Sequence, residues 1–208
     1  MIRTSSPFIS GVVFSGGEPA AQKDALVVLA KSVKEMGLAV GLQTSGLFPE
    51  TIETLISQRL VDKIAVDYKT YWEEDAVWVP KCALDCEDYH SKIDSSVELC
   101  RSAKKNGILS EFEVVITIFK ENEKYIDGIS ERIGEDISLV LQQGEHKIPM
   151  PVDVTNTSEY IAKKQTYKDY YTPMTLKDIQ KIAEKLKRDV CIRTREVGEI
   201  ACNRRYIL

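Results

Sequence analysis

Short apolar runs alternate with longer amphipathic stretches along this chain. The runs are rich in Val, Ile, Leu and Phe, and lengths of roughly five to nine residues are typical of buried strands. Six strands are predicted in this way, at residues 11–15, 38–44, 62–67, 111–119, 138–143 and 190–194.

The stretches between these strands show the three- and four-residue spacing of helices. The apolar residues that share a helix face are Leu26, Leu29, Ala30 and Val33; Ile52, Leu55 and Ile56; Ile93, Val97 and Cys100; Ile126, Ile129 and Ile133; and Leu176, Ile179, Ala183 and Leu186. Pro49 suits the start of the second helix, and Thr175 with Asp178 resembles a capping box at the start of the last. Strands that alternate with helices predict an α/β protein with a parallel sheet.

Right-handed crossovers bring the carboxyl ends of parallel strands to one edge of the sheet. Ligands of α/β proteins gather at that edge, in the loops that lead from a strand to the next helix. The candidate ligand-binding residues therefore lie at 15–19, 43–46, 67–69, 117–120 and 142–144.

Two longer segments lack a clear period and begin at this edge. Residues 70–90 contain both tryptophans, and residues 144–173 are rich in Pro and Tyr. Loops of this length in a compact domain are usually functional lids or disordered, and we expect both to lie over the ligand face. The whole chain, residues 1–208, is expected to form a single domain.

Composition excludes several classes of protein. Apolar residues make up 43% and charged residues 29% of the 208 positions, which argues against disorder. The net charge of −4 gives no basic surplus for nucleic acid or an anionic membrane. No apolar run reaches the roughly 20 residues of a membrane helix, and the first ten residues lack the apolar core of a signal peptide, so we expect a cytoplasmic protein. The five cysteines are expected to be reduced thiols.

The turn Gly16-Gly17-Glu18-Pro19 follows the first predicted strand. Glycines allow a backbone to approach a ligand closely, and Pro19 suits the first turn of the next helix. Glu18 presents a carboxylate at the ligand edge, which attracts an ammonium group; phosphate loops instead rely on lysine or on amide N–H groups. The alternative is a glycine turn that carries a surface acid.

Two further strand ends give weaker signals. Asp67 and Lys69 flank Tyr68, and strand alternation puts both side chains on one face. They would either clamp the two ends of an amino acid or form a structural ion pair. The sequence Thr44-Ser45-Gly46 adds two hydroxyls and a turn glycine at the end of the second strand.

Taken in order, SGGEP, TSG, DYK and LQQ at successive strand ends resemble the radical S-adenosylmethionine (SAM) enzymes. Within that superfamily the chain is most similar to the activating proteins of anaerobic ribonucleoside-triphosphate reductase, and next to pyruvate formate-lyase activase. The resemblance runs from about Ile9 to Arg195, and its most specific parts are GVVFSGGEP, LVDKIAVDYK and LVLQQ. It implies a partial (β/α)6 barrel of the TIM type that lacks its first βα unit.

The resemblance also implies which residues would contact SAM, namely Gly16, Gly17, Glu18, Pro19, Thr44, Asp67, Lys69 and Gln142. The glycine turn with Glu18 would hold the methionyl ammonium. Thr44, Asp67 and Lys69 would lie near the methionyl carboxylate. Gln142 would lie on the adenine side.

A [4Fe–4S] cluster on a Cys-x3-Cys-x2-Cys motif is a further implication, since three thiolates leave one iron open to SAM. That motif should precede the GGEP strand, but the ten residues there contain no cysteine. Cys82 and Cys86 have the first spacing, yet the third position is Tyr89 and the pair lies two βα units too late. We therefore interpret both as free thiols, and Cys100 and Cys191 as core residues.

Two explanations for the missing motif stay open. The chain is either a truncated activase or a natural remnant that lost the cluster and kept a binding role, and we favour truncation because the SAM-side residues persist. No catalytic residue and no metal ligand is assigned in this chain, His90 and His146 included, so it is expected to be inactive alone. The complete enzyme would cleave SAM reductively to a 5′-deoxyadenosyl radical, which abstracts hydrogen from a glycine of its partner.

The implied partners are a glycyl-radical enzyme, such as an anaerobic ribonucleotide reductase, and flavodoxin or ferredoxin as electron donor. The exposed edge of strand 11–15 predicts a homodimer, or an upstream segment that covers it. One alternative is a radical SAM enzyme that modifies a small molecule, such as a deazapurine, or a peptide. Another is a non-catalytic module that binds SAM, a nucleotide or a partner protein.

Overall fold

A computed structural model of the protein describes residues 5, 8–68, 86–145, 172–186 and 188–202. The chain divides into two compact units, Met1–Val115 and Ile116–Leu208.

The first unit alternates strands with helices, as the sequence predicts. Its strands are β1 (Gly11–Phe14), β2 (Ala39–Thr44), β3 (Lys63–Asp67) and β4 (Glu111–Ile118), the last of which continues into the second unit. Its helices are α1 (Lys23–Glu35), α2 (Pro49–Ser57) and α3 (Cys86–Lys105), and a short 3-10 helix (Pro19–Ala21) precedes α1.

The strands of this unit pair in parallel in the order β1, β2, β3 and β4. In this register Phe14 lies opposite Leu42, Thr44 opposite Val66, and Asp67 opposite Val115. Because every pair is parallel, the strands end at the same edge of the sheet, and the loops that follow them start there.

One face of this sheet forms the core of the unit. Apolar side chains of β2 and β3 pack there with the apolar faces of the helices. The buried residues are Val40, Leu42, Ile64, Val66, Leu26, Ala30, Val33, Ile52, Leu55, Ile93, Val97 and Cys100.

The other face of the sheet carries polar and charged side chains. Lys63 Nζ lies 2.8 Å from Glu111 Oε2 and 3.2 Å from Glu113 Oε2. Burial alone would lower the pKa of Lys63, but its hydrogen bonds and charge attraction to the two glutamates outweigh burial and raise it.

The second unit contains the strands β5 (Ser138–Gln143), β6 (Val190–Thr194) and β7 (Gly198–Cys202). Its helices are α4 (Ile126–Ile133), which follows a 3-10 helix at Lys120–Tyr125, and α5 (Leu176–Lys185). β5 and β6 pair in parallel, whereas β6 and β7 form an antiparallel hairpin. Thr175 caps α5, since its hydroxyl oxygen accepts from the Asp178 amide at 3.3 Å, as the sequence predicts.

A buried arginine closes the carboxyl end of α4. Arg188 donates from Nη1 to the carbonyl oxygens of Ser130 at 3.2 Å and Gly134 at 2.6 Å, and from Nη2 to Ile137. A cation at this end of a helix satisfies carbonyl groups that lack a helical partner and opposes the helix dipole. Burial lowers the pKa of this guanidinium.

The predicted α/β class is confirmed, and all six predicted strands are present with ends within one residue of the prediction. β7 was not predicted. Leu29, which was placed on the buried face of α1, is 50% exposed. Helix α3 begins at Cys86, so the last part of the predicted loop 70–90 is helical.

Several predictions fall on residues outside the described ranges. Lys69, Cys82 and His146 lie there, together with most of the two predicted loops. The prediction of a single domain over 1–208 therefore stays a prediction. Among the helices that the structure describes, none combines the length and the apolar character needed to cross a membrane.

Candidate functional site

The glycine turn after β1 adopts a backbone conformation that other residues rarely adopt. Gly16 has φ +84° and Gly17 has φ +56°, both in the left-handed region. A Cβ atom added at either position would meet no heavy atom within 4 Å, and both residues are exposed. The backbone conformation, rather than a lack of space, therefore requires glycine here.

Glu18 caps the 3-10 helix that follows this turn. Its backbone is extended, and its Oε1 accepts a hydrogen bond from the Ala20 amide at 3.1 Å. Pro19 occupies the first helical position, where a missing N–H costs nothing. The order Gly-Gly-Glu-Pro thus has a local explanation, in which two left-handed residues lead into a capped helix.

The carboxylate of Glu18 also binds the loop after β2. Oε1 accepts from Thr44 Oγ1 at 2.7 Å, while Oε2 accepts from the Ser45 amide at 2.7 Å and from Ser45 Oγ at 2.5 Å. Glu18 is therefore part of a network that joins the carboxyl ends of two neighbouring strands. The alternative of a simple surface acid does not describe this geometry.

This network continues into helix α3. The hydroxyl of Thr44, which is buried, accepts from the Gly46 amide at 3.2 Å, and the Gly46 carbonyl accepts from Ser96 Oγ at 2.6 Å. Gly46 has φ +79°, and a Cβ atom there would lie 3.2 Å from Val66 Cγ1. The loop after β2 is therefore held by Glu18 on one side and by Ser96 of α3 on the other.

The charge of the two loops suits a cationic group. Residues 15–22 and 44–49 include one acid, Glu18, but no lysine or arginine. A phosphate would find no cation in these loops, whereas an ammonium group is attracted by the Glu18 charge.

The structure brings Glu18 and Thr44 together, but it places Asp67 differently. In the register of β2 and β3, Thr44 lies opposite Val66, so Asp67 points to the other face of the sheet. Glu18 and Thr44 thus form one group, and Asp67 lies at the end of the adjacent strand.

Gln142 belongs to the second unit, where it lies opposite Arg193 in the β5–β6 pair. It borders a cleft of about 360 Å³ that is also lined by Thr117, Gln143, Glu145, Arg193, Thr194 and Arg195. In this cleft Arg193 pairs with Glu199 at 2.8 Å, and Arg195 pairs with Glu145.

Sequence reasoning did not assign Ser45, Arg193 or Arg195 to a site. Ser45 was noted as a hydroxyl, but nothing in the sequence showed that it donates twice to Glu18. The two arginines could have been found from the hairpin pattern of residues 190–202, which puts Arg193 at a strand end.

The described cysteines do not form a cluster site. Cys100 is fully buried on α3, as predicted, and burial raises the pKa of its thiol to about 12. Cys191 lies in β6 as predicted, but it is only half-buried. Among the described residues no group of three or more His, Cys, Asp or Glu could hold a metal ion. The described residues therefore do not fit a [4Fe–4S] cluster.

A comparison with known proteins decides the family. The chain is 33% identical over 189 residues to a protein of Methanocaldococcus jannaschii named as a glycyl-radical enzyme activating enzyme, and the match covers 90% of this chain and 72% of that protein. The chain belongs to the glycyl-radical enzyme activating enzymes. This membership confirms the recognised superfamily, radical SAM, and its fold class of partial TIM-like barrels.

Two other similarities accompany this activating-enzyme family match. A 7-carboxy-7-deazaguanine synthase of Thermococcus kodakarensis is 28% identical over 117 residues, which are 56% of this chain and 42% of that protein. A solved domain of a pyruvate-formate lyase-activating enzyme from Bacteroides vulgatus has a TM-score of 0.47 and 18% identity, and it covers 78% of this chain and 96% of that domain. No protein-family model matches the chain.

Proposed function

We propose that this chain is the SAM-binding part of an activating enzyme for a glycyl-radical enzyme of the anaerobic ribonucleotide reductase type. The observation that carries this proposal is the Gly16–Pro19 turn, whose glutamate joins the ends of β1 and β2. An exposed left-handed glycine pair, a nearby negative charge and the absence of cations in residues 15–22 and 44–49 favour an amino-acid end with an ammonium group.

In this proposal the chain binds and orients SAM. The Gly16–Gly17 turn receives the methionyl ammonium, and Thr44 and Lys69 are assigned to the carboxylate end. In a complete enzyme, a reduced [4Fe–4S] cluster would give one electron to SAM, which would split into methionine and a 5′-deoxyadenosyl radical able to abstract hydrogen from a glycine of the partner. No step of that chemistry is assigned to the described residues, since they do not fit the cluster.

The type of glycyl-radical enzyme rests on the strand-end motifs SGGEP, DYK and LQQ. The proposed protein partners are that reductase and a flavodoxin or ferredoxin as electron donor. A second candidate function is modification of a small heterocycle, which is favoured by the 28% identity to the deazaguanine synthase of Thermococcus kodakarensis. Titration of the chain with a purified anaerobic ribonucleotide reductase distinguishes the two, since only the first candidate requires a complex with it.

Binding of SAM is tested by titration calorimetry on the purified chain. We expect SAM to bind at least tenfold more tightly than 5′-methylthioadenosine, which lacks the amino-acid end. Gly17→Ala should reduce this preference, because a Cβ at φ +56° strains the turn that receives the amino end.

Gly107→Ala provides a matched control. Gly107 has φ +69° and equally open surroundings, but it lies in the turn after α3. Both variants should lose about 1 kcal/mol of stability, while only Gly17→Ala should weaken the binding of SAM. Equal binding of SAM and methylthioadenosine to the wild type would contradict the proposal.

A further inference from the structure

We propose that Glu18 and Ser45 form a clamp that positions the two SAM-binding loops, and that Glu18 does not contact the ligand itself. This inference rests on the proposed function, but it assigns a different role to the glutamate of the turn and adds Ser45 to the site. Ser45 is a positioning residue in this scheme.

The acceptor capacity of the Glu18 carboxylate supports this role. A carboxylate offers about four lone-pair positions. The two oxygens already accept four hydrogen bonds, from the Ala20 amide, Thr44 Oγ1, the Ser45 amide and Ser45 Oγ, at 2.5–3.1 Å. An ammonium group would have to displace one of these donors in order to bind Glu18 directly.

Other acceptors in the turn remain open to an ammonium group. Gly16 and Gly17 are exposed, and their carbonyl oxygens accept no backbone hydrogen bond from the described part of the chain. The charge of Glu18 still acts on a cation at these carbonyls, because its four partners are neutral donors that leave the negative charge in place.

The clamp determines where these carbonyls lie relative to β2. Glu18 directly follows the glycine pair, and Ser45 directly follows the last residue of β2. Since Gly46 is in turn bonded to Ser96 of α3, the turn after β1 is positioned against a helix through Glu18, Thr44 and Gly46. Loss of the clamp would release the turn even though no ligand contact is removed.

The clamp is tested first without any ligand. In Glu18→Gln, one of the two side-chain oxygens becomes an NH₂ group, so either the Ser45 amide or the Ala20 amide faces a donor instead of an acceptor. Amide hydrogen exchange at one of these two residues, measured by NMR, should then be at least tenfold faster than in the wild type. Glu53→Gln removes the same charge from an exposed position on α2 and should leave this exchange unchanged.

The second measurement is the affinity for SAM. We expect Glu18→Gln to weaken binding about tenfold and Ser45→Ala about threefold, while Ser45→Thr keeps the hydroxyl and restores the wild-type value. The double variant Glu18→Gln/Ser45→Ala should bind SAM no more weakly than Glu18→Gln alone, because both changes break one clamp.

Multiplication of the two losses in the double variant would show that Glu18 and Ser45 act on SAM binding independently of each other, and it would overturn the inference. Unchanged exchange at both Ser45 and Ala20 in Glu18→Gln would overturn it as well. If the wild type does not bind SAM, the proposed function fails, and the exchange measurement alone then decides whether the clamp exists.

Discussion

Cys100 illustrates how burial controls the chemistry of a single side chain. Its thiol is on the apolar face of α3 and has no exposed surface, and the loss of solvation raises its pKa from 9.0 to about 12. The thiolate is the reactive form of cysteine. Cys100 is therefore an inert core residue, as its place in the helical pattern suggested.

The raised pKa of Cys100 predicts a pH dependence of stability. The unfolded thiol ionises above about pH 9, whereas the folded thiol stays protonated up to about pH 12, so the free energy of unfolding falls as the pH rises through 9. At pH 10 the loss should be about 1.4 kcal/mol.

Urea unfolding of the wild type and of Cys100→Ala at pH 8, 9 and 10 measures this loss. The difference between the two proteins isolates the thiol, since all other titrating groups are shared. A difference that stays constant from pH 8 to pH 10 would contradict the assignment.

At the residue scale, the sequence predicted the backbone of the glycine turn better than the contacts of its side chains. The turn at Gly16 to Pro19 was recognised from residue types alone, because left-handed glycines and a helix-starting proline are local requirements. The partners of Glu18 were not predictable, since they depend on how β1 and β2 pair, which is a non-local property. The family resemblance assigned Asp67 and Thr44 to the same end of SAM. In the strand register Thr44 lies opposite Val66, so the side chains of Thr44 and Asp67 are on opposite faces of the sheet.

At the scale of elements, Asp62 ties together the beginnings of several strands. Its carboxylate accepts from Lys34 Nζ of α1 at 2.8 and 2.9 Å and from the amide of Val40 in β2 at 2.7 Å. Its carbonyl oxygen accepts from the amide and the hydroxyl of Ser110, just before β4. One residue thus sets the register of three strands at the edge opposite the site.

Two substitutions of Asp62 distinguish its hydrogen bond to the Val40 amide from its ion pair with Lys34. Asp62→Ala leaves the amide of the buried Val40 without its partner, and we expect a loss of about 2 kcal/mol. Asp62→Asn keeps an acceptor for that amide and loses only the half-exposed ion pair with Lys34, so a loss below about 1 kcal/mol is expected.

Chemical denaturation at neutral pH measures both losses, and Lys34→Met serves as the control for the ion pair. Lys34→Met should resemble Asp62→Asn. An equal loss in Asp62→Ala and Asp62→Asn would show that the ion pair, rather than the amide contact, stabilises this edge.

The ends of strands and helices agree closely with the predicted ends wherever the sequence carries a local signal. The six predicted strands have clear apolar runs, and Thr175 gave α5 its start. β7 was missed because its residues, GEIAC, mix apolar with polar positions and were not compared with the preceding VCIRT as the second arm of a hairpin. The signal available in the sequence was the glycine at position 198. In the structure Gly198 follows a three-residue loop and has φ +72°.

At the scale of the whole molecule, β1 is an edge strand of the first unit's sheet among the described residues. β1 pairs only with β2 among the described strands, and Val13 is 60% exposed. Val28 and Leu29 of the adjacent helix α1 are 63% and 50% exposed. Neither β1 nor this pair on α1 carries a charge, so two copies can approach each other without repulsion.

We therefore expect the chain to self-associate through this edge, which sedimentation velocity over a range of micromolar concentrations measures. Leu29→Lys should shift the equilibrium to the monomer, because it sets two cations against each other. Val197→Lys, at a residue that is 51% exposed in the second unit, is the matched control and should leave the association intact. A wild type that is monomeric at every concentration would contradict this prediction.

Fold class was the most predictable property at this scale, because the alternation of strands and helices, together with the strand-end motifs, extends over most of the chain. Among the described residues no group of three or more His, Cys, Asp or Glu could hold a metal ion, so the cluster chemistry of the family is not assigned to them.

The β6–β7 hairpin also bears on the order in which the protein folds. Only residues 195–197 connect its strands, so pairing closes a very short loop, and hairpins of this kind form within roughly 1–10 μs. The parallel strands β1 to β4 can pair only after a complete crossover segment, such as residues 15–38, has been ordered, which slows folding. During refolding the last strands of the chain should thus become native before the first, the reverse of the order in which a ribosome makes them.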